Sequence, residues 1–187
     1  MLAPIIIFAY NRPNHLQETI DSLRRNELAT ESILYIYCDG PKQDASEEVC
    51  GRIAKTREVA HGCVGFKEVV VIEAERNKGL ANSIIDGVTH VVNQYGKVIV
   101  LEDDLLTSPY FLRYMNDALN FYECRQGVMS ISANRPSPLK MEIPSDYPYD
   151  AFVCLRSYST GWATWKDRWG RVDWSMDFLG EFLKHPE

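Results

Sequence analysis

The sequence predicts an α/β fold in which a mostly parallel central sheet carries helices on both faces. Three observations point there. Short apolar runs rich in β-branched residues recur through residues 1–134, segments with helical apolar spacing separate them, and each run ends at turn chemistry or a charged cluster. The chain has 187 residues, within the ~100–200 of an ordinary domain. Hydrophobic residues make up 45% and charged residues 25%. That balance builds a core and excludes a disordered or fibrous chain.

Pro4–Ala9 (PIIIFA) reads as a strand buried on both faces. Pro13 marks a turn or a first helical position, and Leu16, Ile20 and Leu23 follow on one helical face. Ile33–Cys38 is a second strand that stops at Asp39-Gly40-Pro41. Asp44 with Glu47 reads as a capping box, opening a helix with Val49, Ile53 and Ala60 on one side. Val69–Ile72 lies in a third strand. The helix after it, Gly79–Tyr95, has an apolar stripe of Leu80, Ile84, Val88 and Val91 or Val92. Lys97–Leu101 is a fourth strand and runs into Glu102-Asp103-Asp104. Ser108-Pro109 reads as an N-cap with proline at the first helical position, ahead of Leu112, Met115, Leu119 and Tyr122. Val128–Ala133 is a fifth strand.

The character changes after Asn134. Arg135–Tyr149 holds four of the nine prolines and should be a long surface loop. All four tryptophans then fall within Trp162–Trp174. They fit either a core under a loop or a platform for a sugar ring. The division expected is therefore residues 1–134 as a ligand-binding α/β half and residues 135–187 as an aromatic-rich segment of the same domain.

A net charge of −6 argues against a phosphate-gripping nucleic-acid binder, which carries a basic surplus. No apolar run reaches the ~18 residues of a membrane span, and the N-terminus has no basic region before its short apolar stretch. The compartment expected is cytoplasmic. The five cysteines form no C-x-x-C pair, so reduced thiols are expected rather than a zinc site or a disulfide framework. His15, His61, His90 and His185 lack metal-ligand spacing, and Ser157 and Ser159 lack a nucleophile elbow.

In an open parallel sheet, ligands bind beyond the carboxyl ends of the strands. Those ends here carry Tyr10-Asn11-Arg12, Asp39, Glu75-Arg76-Asn77 and Glu102-Asp103-Asp104. Three adjacent carboxylates repel one another. A hard divalent cation, Mn²⁺ or Mg²⁺, would relieve that repulsion through oxygen ligands shared with a phosphate. The tripeptide also fits a solvated acidic turn before a helix. Arg12 could pair with a phosphate or stack on a base. Asp39 fits a base or ribose contact and equally a plain Asp-Gly turn. Asn77-Lys78-Gly79 opens a helix whose amides could face an anion, or is simple N-capping by Asn77. Neither the dinucleotide fingerprint G-x-G-x-x-G nor the P-loop is present.

Taken in order, these segments resemble a nucleotide-sugar glycosyltransferase of the GT-A (Rossmann-like) fold. FAYNRP is similar to the opening of glycosyltransferase family 2 domains, and YCDG to their second-strand donor site. ERNKGLANS followed by VIVLEDDLLTSPYFLRYM resembles the segment carrying the family's D-x-D-type motif. The E-D-D form, with GWATWKDRW later, is similar to the N-acetylglucosaminyltransferase I type. The resemblance implies a metal ion, Mn²⁺ or Mg²⁺, on Asp104. It implies Glu102 and Asp103 on the ribose and transferred sugar, Arg12 and Asp39 on the base, and Asn77 in support. Ala9, Tyr10, Asn11 and Arg76 complete the donor side, and Gly161-Trp162 lines the donor-sugar and acceptor side. The implied donor is a nucleoside diphosphate-sugar, UDP-linked. The implied acceptor is a saccharide or lipid-linked saccharide, the latter with peripheral contact to the inner face of a membrane. The implied outcome is inversion.

One departure stands out. The acidic pair that supplies the general base in the N-acetylglucosaminyltransferase I type has no counterpart here, and Asp173 and Asp177 are its stand-ins. The chain is also shorter than such domains, which implies that the acceptor-binding part extends past residue 187. Two other readings fit the same frame: a nucleotidyltransferase, although FAYNRP lacks the glycine-rich loop, and a non-catalytic carbohydrate- or nucleotide-sugar-binding module.

Overall fold

Every residue of the first apolar run, β1 (Ile5–Ala9), is buried. A strand with no polar face needs cover on both sides, and the rest of the chain supplies it. The computed structural model describes residues 1–134 and 143–184. β1 lies inside a six-stranded sheet with β2 (Ile33–Cys38), β3 (Glu68–Glu73), β4 (Lys97–Glu102), β5 (Ile131–Ser132) and β6 (Trp162–Trp165), in the order β3-β2-β1-β4-β6-β5. β1 to β4 are mutually parallel, and β6 is antiparallel to both β4 and β5.

Alternate residues of the strands point to opposite faces, and each face has its own core. On one face Ile5, Ile7, Leu34, Ile36, Ile99 and Leu101 cluster with helices α1 (Pro13–Arg24), α2 (Glu47–His61) and α4 (Phe111–Phe121), through Leu16, Ile20, Leu23, Ala60, Leu112, Met115 and Leu119. On the other face Ile6, Phe8, Val98 and Val100 meet α3 (Leu80–Tyr95) through Val88, Val91 and Val92. Trp169 of α5 (Lys166–Trp169) joins them there. A last short helix, α6 (Leu179–Phe182), ends the described chain. No helix of the described residues is long and apolar enough to cross a membrane.

This layout sets a switch point. α1 and α2 follow β1 and β2 on one face, whereas α3, which leads to β4, lies on the other. The strand order therefore turns back between β1 and β4. Such a reversal opens a crevice outside the carboxyl ends of the strands, where open α/β sheets bind ligands.

Several local expectations are corrected. Ser46, not Asp44, caps α2, its hydroxyl accepting from the Val49 amide at 3.3 Å. Ser108-Pro109 does not open α4: the N-cap is Tyr110, and Ser108 instead accepts a backbone bond from Phe111. The missing cap comes from another element, because Asn26 Oδ1 accepts from the Leu112 amide at 3.0 Å. Gly79 caps α3 at φ 77°, a left-handed value that favours glycine, and Asn77 does not serve there. The fifth strand is shorter than expected, Ile131–Ser132.

The Trp162–Trp165 segment is a strand, which the aromatic content had hidden. Trp165 and Trp169 end up in the cores of opposite faces, their indole N–H groups donating to Leu119 O (3.2 Å) and Thr89 Oγ1 (2.8 Å). Arg168, buried, lies over the Trp165 ring at 4.4 Å and donates to Glu123 O at 2.5 Å. It ties the strand to the end of α4. Of the proline-rich stretch Arg135–Tyr149, residues 135–142 lie outside the described residues, as does His185. Residues 143–149 form neither helix nor strand. All five cysteines are free. Burial pushes the Cys38 thiol up to about 12 and the Cys63 thiol up to about 11.

Candidate functional site

Parallel pairing of β1 with β4 places Phe8 opposite Glu102. The residues after each strand therefore meet across the crevice. Arg12 leaves the end of β1 and reaches both carboxylates after β4. One guanidinium nitrogen, Nη1, donates to Asp104 Oδ2 at 2.8 Å, and Nη2 pairs with Asp103 Oδ1. Asp103 is 2% exposed, whereas Asp104 is 38% and Arg12 42% exposed. The other Asp103 oxygen, Oδ2, is buried with no hydrogen-bond partner.

The electrostatics follow from burial and crowding. Burial raises the Asp103 carboxyl above its ordinary value, and the Arg12 bond only partly opposes this. Glu102 is raised by burial first and by the neighbouring Asp104 second. The repulsion within the acidic trio is thus relieved by a guanidinium from the adjacent strand end. Among the described residues, no group of three or more His, Cys, Asp or Glu side chains converges as a metal cage. What the rim offers is one exposed carboxylate, Asp104, beside a buried one. That suits a hard cation such as Mg²⁺, which takes one or two carboxylates and completes its shell with substrate phosphates and water.

Asp39 sits at the next strand end and is 9% exposed. Its Oδ1 accepts from the amides of Gly40 and Lys78, both at 2.8 Å. Its Oδ2 accepts from Asn77 Nδ2 at 2.9 Å and the Gly79 amide at 3.1 Å. A carboxylate has about four lone-pair sites, so this side chain is saturated by its own loops. Two of the amides at the start of α3 are thereby already bonded. Gly40 makes the approach possible, since a Cβ there would lie 2.6 Å from backbone atoms of Ala74 and Arg76. Asn77 also donates to Gly40 O at 3.1 Å, and Arg76 is exposed beside it. Ala9 is buried and accepts from the Asp39 amide at 2.9 Å; Tyr10 and Asn11 are half-buried between Ala9 and Arg12.

Gly161 and Trp162 reach the same rim from β6. Trp162 pairs with Val100, and a Cβ on Gly161 would lie 3.8 Å from Leu101 and 3.5 Å from the Phe111 ring. Trp162 stacks on Trp169 at 5.8 Å, and Trp169 meets Trp174 at 4.3 Å. Asp173 and Asp177 are not drawn to the acidic rim. Both are exposed, and Asp173 accepts from Ser175 N (3.0 Å) and Oγ (2.8 Å) in a local turn.

A polar network that the sequence reading missed holds the loop after the trio. Ser22 and Asn26 of the α1 region bond Thr107, with Asn26 Nδ2 3.0 Å from Thr107 Oγ1 and the Thr107 amide 3.1 Å from Ser22 Oγ. Its signal was present: Ser22 and Asn26 are four apart, flanking the buried Leu23. Two concavities lie elsewhere. One of about 430 Å³ borders α2 near Pro41, Ile53 and Arg57, and one of about 480 Å³ lies between α1 and α2. Neither contains the charged groups of the switch point, which lie on an open rim.

A parallel sheet that reverses between β1 and β4, with an antiparallel strand inserted beside β4, is a GT-A (Rossmann-like) domain. Residues 5–177 match the description Glycosyl transferase family 2, and the chain belongs to that family. Among solved structures it is similar to the galactosyltransferase LgtC in complex with donor and acceptor sugar analogs. That match has 14% identity and a TM-score of 0.51, covering 97% of this chain and 65% of that one. It is also similar to residues 1–349 of S. aureus TarS in complex with UDP-GlcNAc, at 17% identity and TM-score 0.45, over 74% of this chain and 37% of that one. A third is a putative nucleotide-diphospho-sugar transferase from Desulfovibrio desulfuricans G20, at 12% identity and TM-score 0.42, over 66% and 55%. At these identities the likeness is one of fold, and the chain spans less than two thirds of each neighbour's length. No curated protein matches it.

Proposed function

We propose that the chain carries the donor site of a glycosyltransferase that takes a sugar from a nucleoside diphosphate carrier, UDP-linked, and passes it with inversion to a saccharide or lipid-linked saccharide hydroxyl. The observation that carries this reading is the meeting of Arg12, Asp103 and Asp104 at the switch point of a family 2 domain. Asp104, the exposed carboxylate, would hold Mn²⁺ or Mg²⁺, whose Lewis acidity stabilises charge on a leaving diphosphate when bound. Arg12 adds fixed positive charge on the same side. Glu102 and Asp103 orient ribose and sugar hydroxyls.

Asp39 and Asn77 form the base end. With all four Asp39 acceptor positions engaged, a base that bonds Asp39 must exchange with one of the Asn77–Gly79 donors. Gly161 turns the backbone at φ 67° against Leu101 and Phe111, and Trp162 presents a half-buried indole at that edge. Asp173 and Asp177 remain the candidates for the acceptor base. They would have to approach the rim from their exposed turn. The E-D-D motif and the Gly-Trp segment favour an N-acetylglucosaminyltransferase I-like donor arrangement within the family.

A thermal-shift titration with UDP and Mn²⁺ tests the reading. A ligand that binds only the folded state at about 100 times its Kd stabilises it by about 2.7 kcal/mol, or roughly 5–10 °C for a chain of this size. The rise should require metal and disappear in Asp104→Ala. A rise that survives Asp104→Ala, or none with UDP and Mn²⁺, contradicts the proposal.

A further inference from the structure

We propose that Arg12 is a built-in counter-ion that occupies the cation position of Asp104 and releases it, while staying on Asp103, when metal and diphosphate arrive. The inference rests on the donor-site reading above and adds a competition that reading does not contain.

The asymmetry of the two contacts carries it. Asp103 is 2% exposed and its Oδ2 has no hydrogen-bond partner. Taking Arg12 away would strip a buried carboxylate of its charged partner, a severe loss. Asp104 is 38% exposed, and its contact with the 42% exposed Arg12 faces solvent. Pairs of that kind hold weakly. A divalent cation can therefore take Asp104 from the guanidinium at little cost, whereas Asp103 keeps its partner. The planar fork of arginine is what lets one residue hold both carboxylates, one on each terminal nitrogen. A lysine ammonium is a point charge that serves the buried partner and leaves the outer one open. Arg12 is on this view a positioning residue. It keeps Asp103 and Asp104 paired with a fixed positive charge until the donor brings its own cation.

The test is Mn²⁺ affinity without nucleotide, read from the free Mn²⁺ signal in electron paramagnetic resonance, for the wild type, Arg12→Lys, Arg12→Gln and Asp104→Asn. Arg12→Lys keeps the charge and loses the fork, so it should bind Mn²⁺ about two- to fivefold more tightly, the ratio equivalent to a surface pair. Asp104→Asn should abolish the binding. Equal affinity in Arg12→Lys and wild type, with tightening in Arg12→Gln alone, would mean that bare charge is responsible and would overturn the exchange.

A measurement on the wild type covers the case of a variant that does not fold. Solvent exchange of the two Arg12 NH₂ groups, followed by nitrogen-15 NMR, should speed up at one group and stay slow at the other when UDP and Mg²⁺ are added. A change at both groups or at neither overturns the proposal. Absence of any Mn²⁺–UDP binding by the wild type would overturn the donor site itself, whereas intact binding with an unchanged Arg12→Lys affinity would overturn only the exchange.

Discussion

At the residue scale, each carboxylate of Glu102-Asp103-Asp104 has a different environment. Asp103 is buried against Arg12, Glu102 is half-buried as the last residue of β4, and Asp104 faces water. The raised Glu102 carboxyl has a consequence with a definite sign. Its folded value lies above an ordinary 4.5, so its favourable contribution is complete below that value and is lost as pH rises through the folded value. In metal-free buffer, Glu102→Gln should therefore gain thermal stability over the wild type as pH rises from about 4 to about 7, with the difference vanishing at the acid end. Parallel melting curves that stay a constant distance apart would contradict this. Arg12 and the trio were legible as strand-end residues because charge at the end of an apolar run stands out. Asp39 was legible as a position and not as a set of bonds. Its four donors come from loops that lie apart in sequence, and only the fold joins them.

At the element scale, the rim is held by contacts that local pattern does not reveal. α4 has no side-chain cap of its own, and Asn26, beyond the end of α1, serves instead while also bonding Ser22 O and Thr107. Asn26→Ala removes three bonds and leaves the buried Leu112 amide unpaired. It should lower unfolding stability by about 1–3 kcal/mol, measured by urea titration. A loss below about 0.5 kcal/mol would mean the network does not hold the loop.

Strands β1, β2 and β4 were readable from apolar runs, and α1 and α3 from their stripes. The α1 stripe is buried as the periodicity predicts, whereas in α3 Val88, Val91 and Val92 are buried, Ile84 is half-buried and Leu80, in the first turn, is exposed. The errors fell at helix starts, where Ser108, Asp44 and Asn77 all have capping side chains. Ser46 acts through a local bond to the Val49 amide, Gly79 through its positive φ, and only Asn26 through a tertiary contact. β6 escaped detection because four tryptophans in thirteen residues, Trp162 to Trp174, read as a surface or a cluster. In the structure two of them anchor the sheet from opposite faces.

At the scale of the whole molecule, the topology explains why the chemistry collects where it does. The chain lays α1 and α2 on one face and α3 on the other, so the carboxyl ends of β1 and β4 border the same crevice. Arg12 spans that crevice, Asp39 fixes its flank, and Gly161 with Trp162 enters from the antiparallel strand. The alternation of elements predicted the sheet. The order of strands, and with it the adjacency of residues 12 and 104, is a property of the fold alone. The most direct measurement of the central claim is a crystal structure with UDP and Mn²⁺ bound. The account predicts the diphosphate over the β1–β4 switch point, the metal on Asp104 and the base toward Asp39. A nucleotide bound instead in the groove along α2, with Arg12 still holding Asp104, would contradict it.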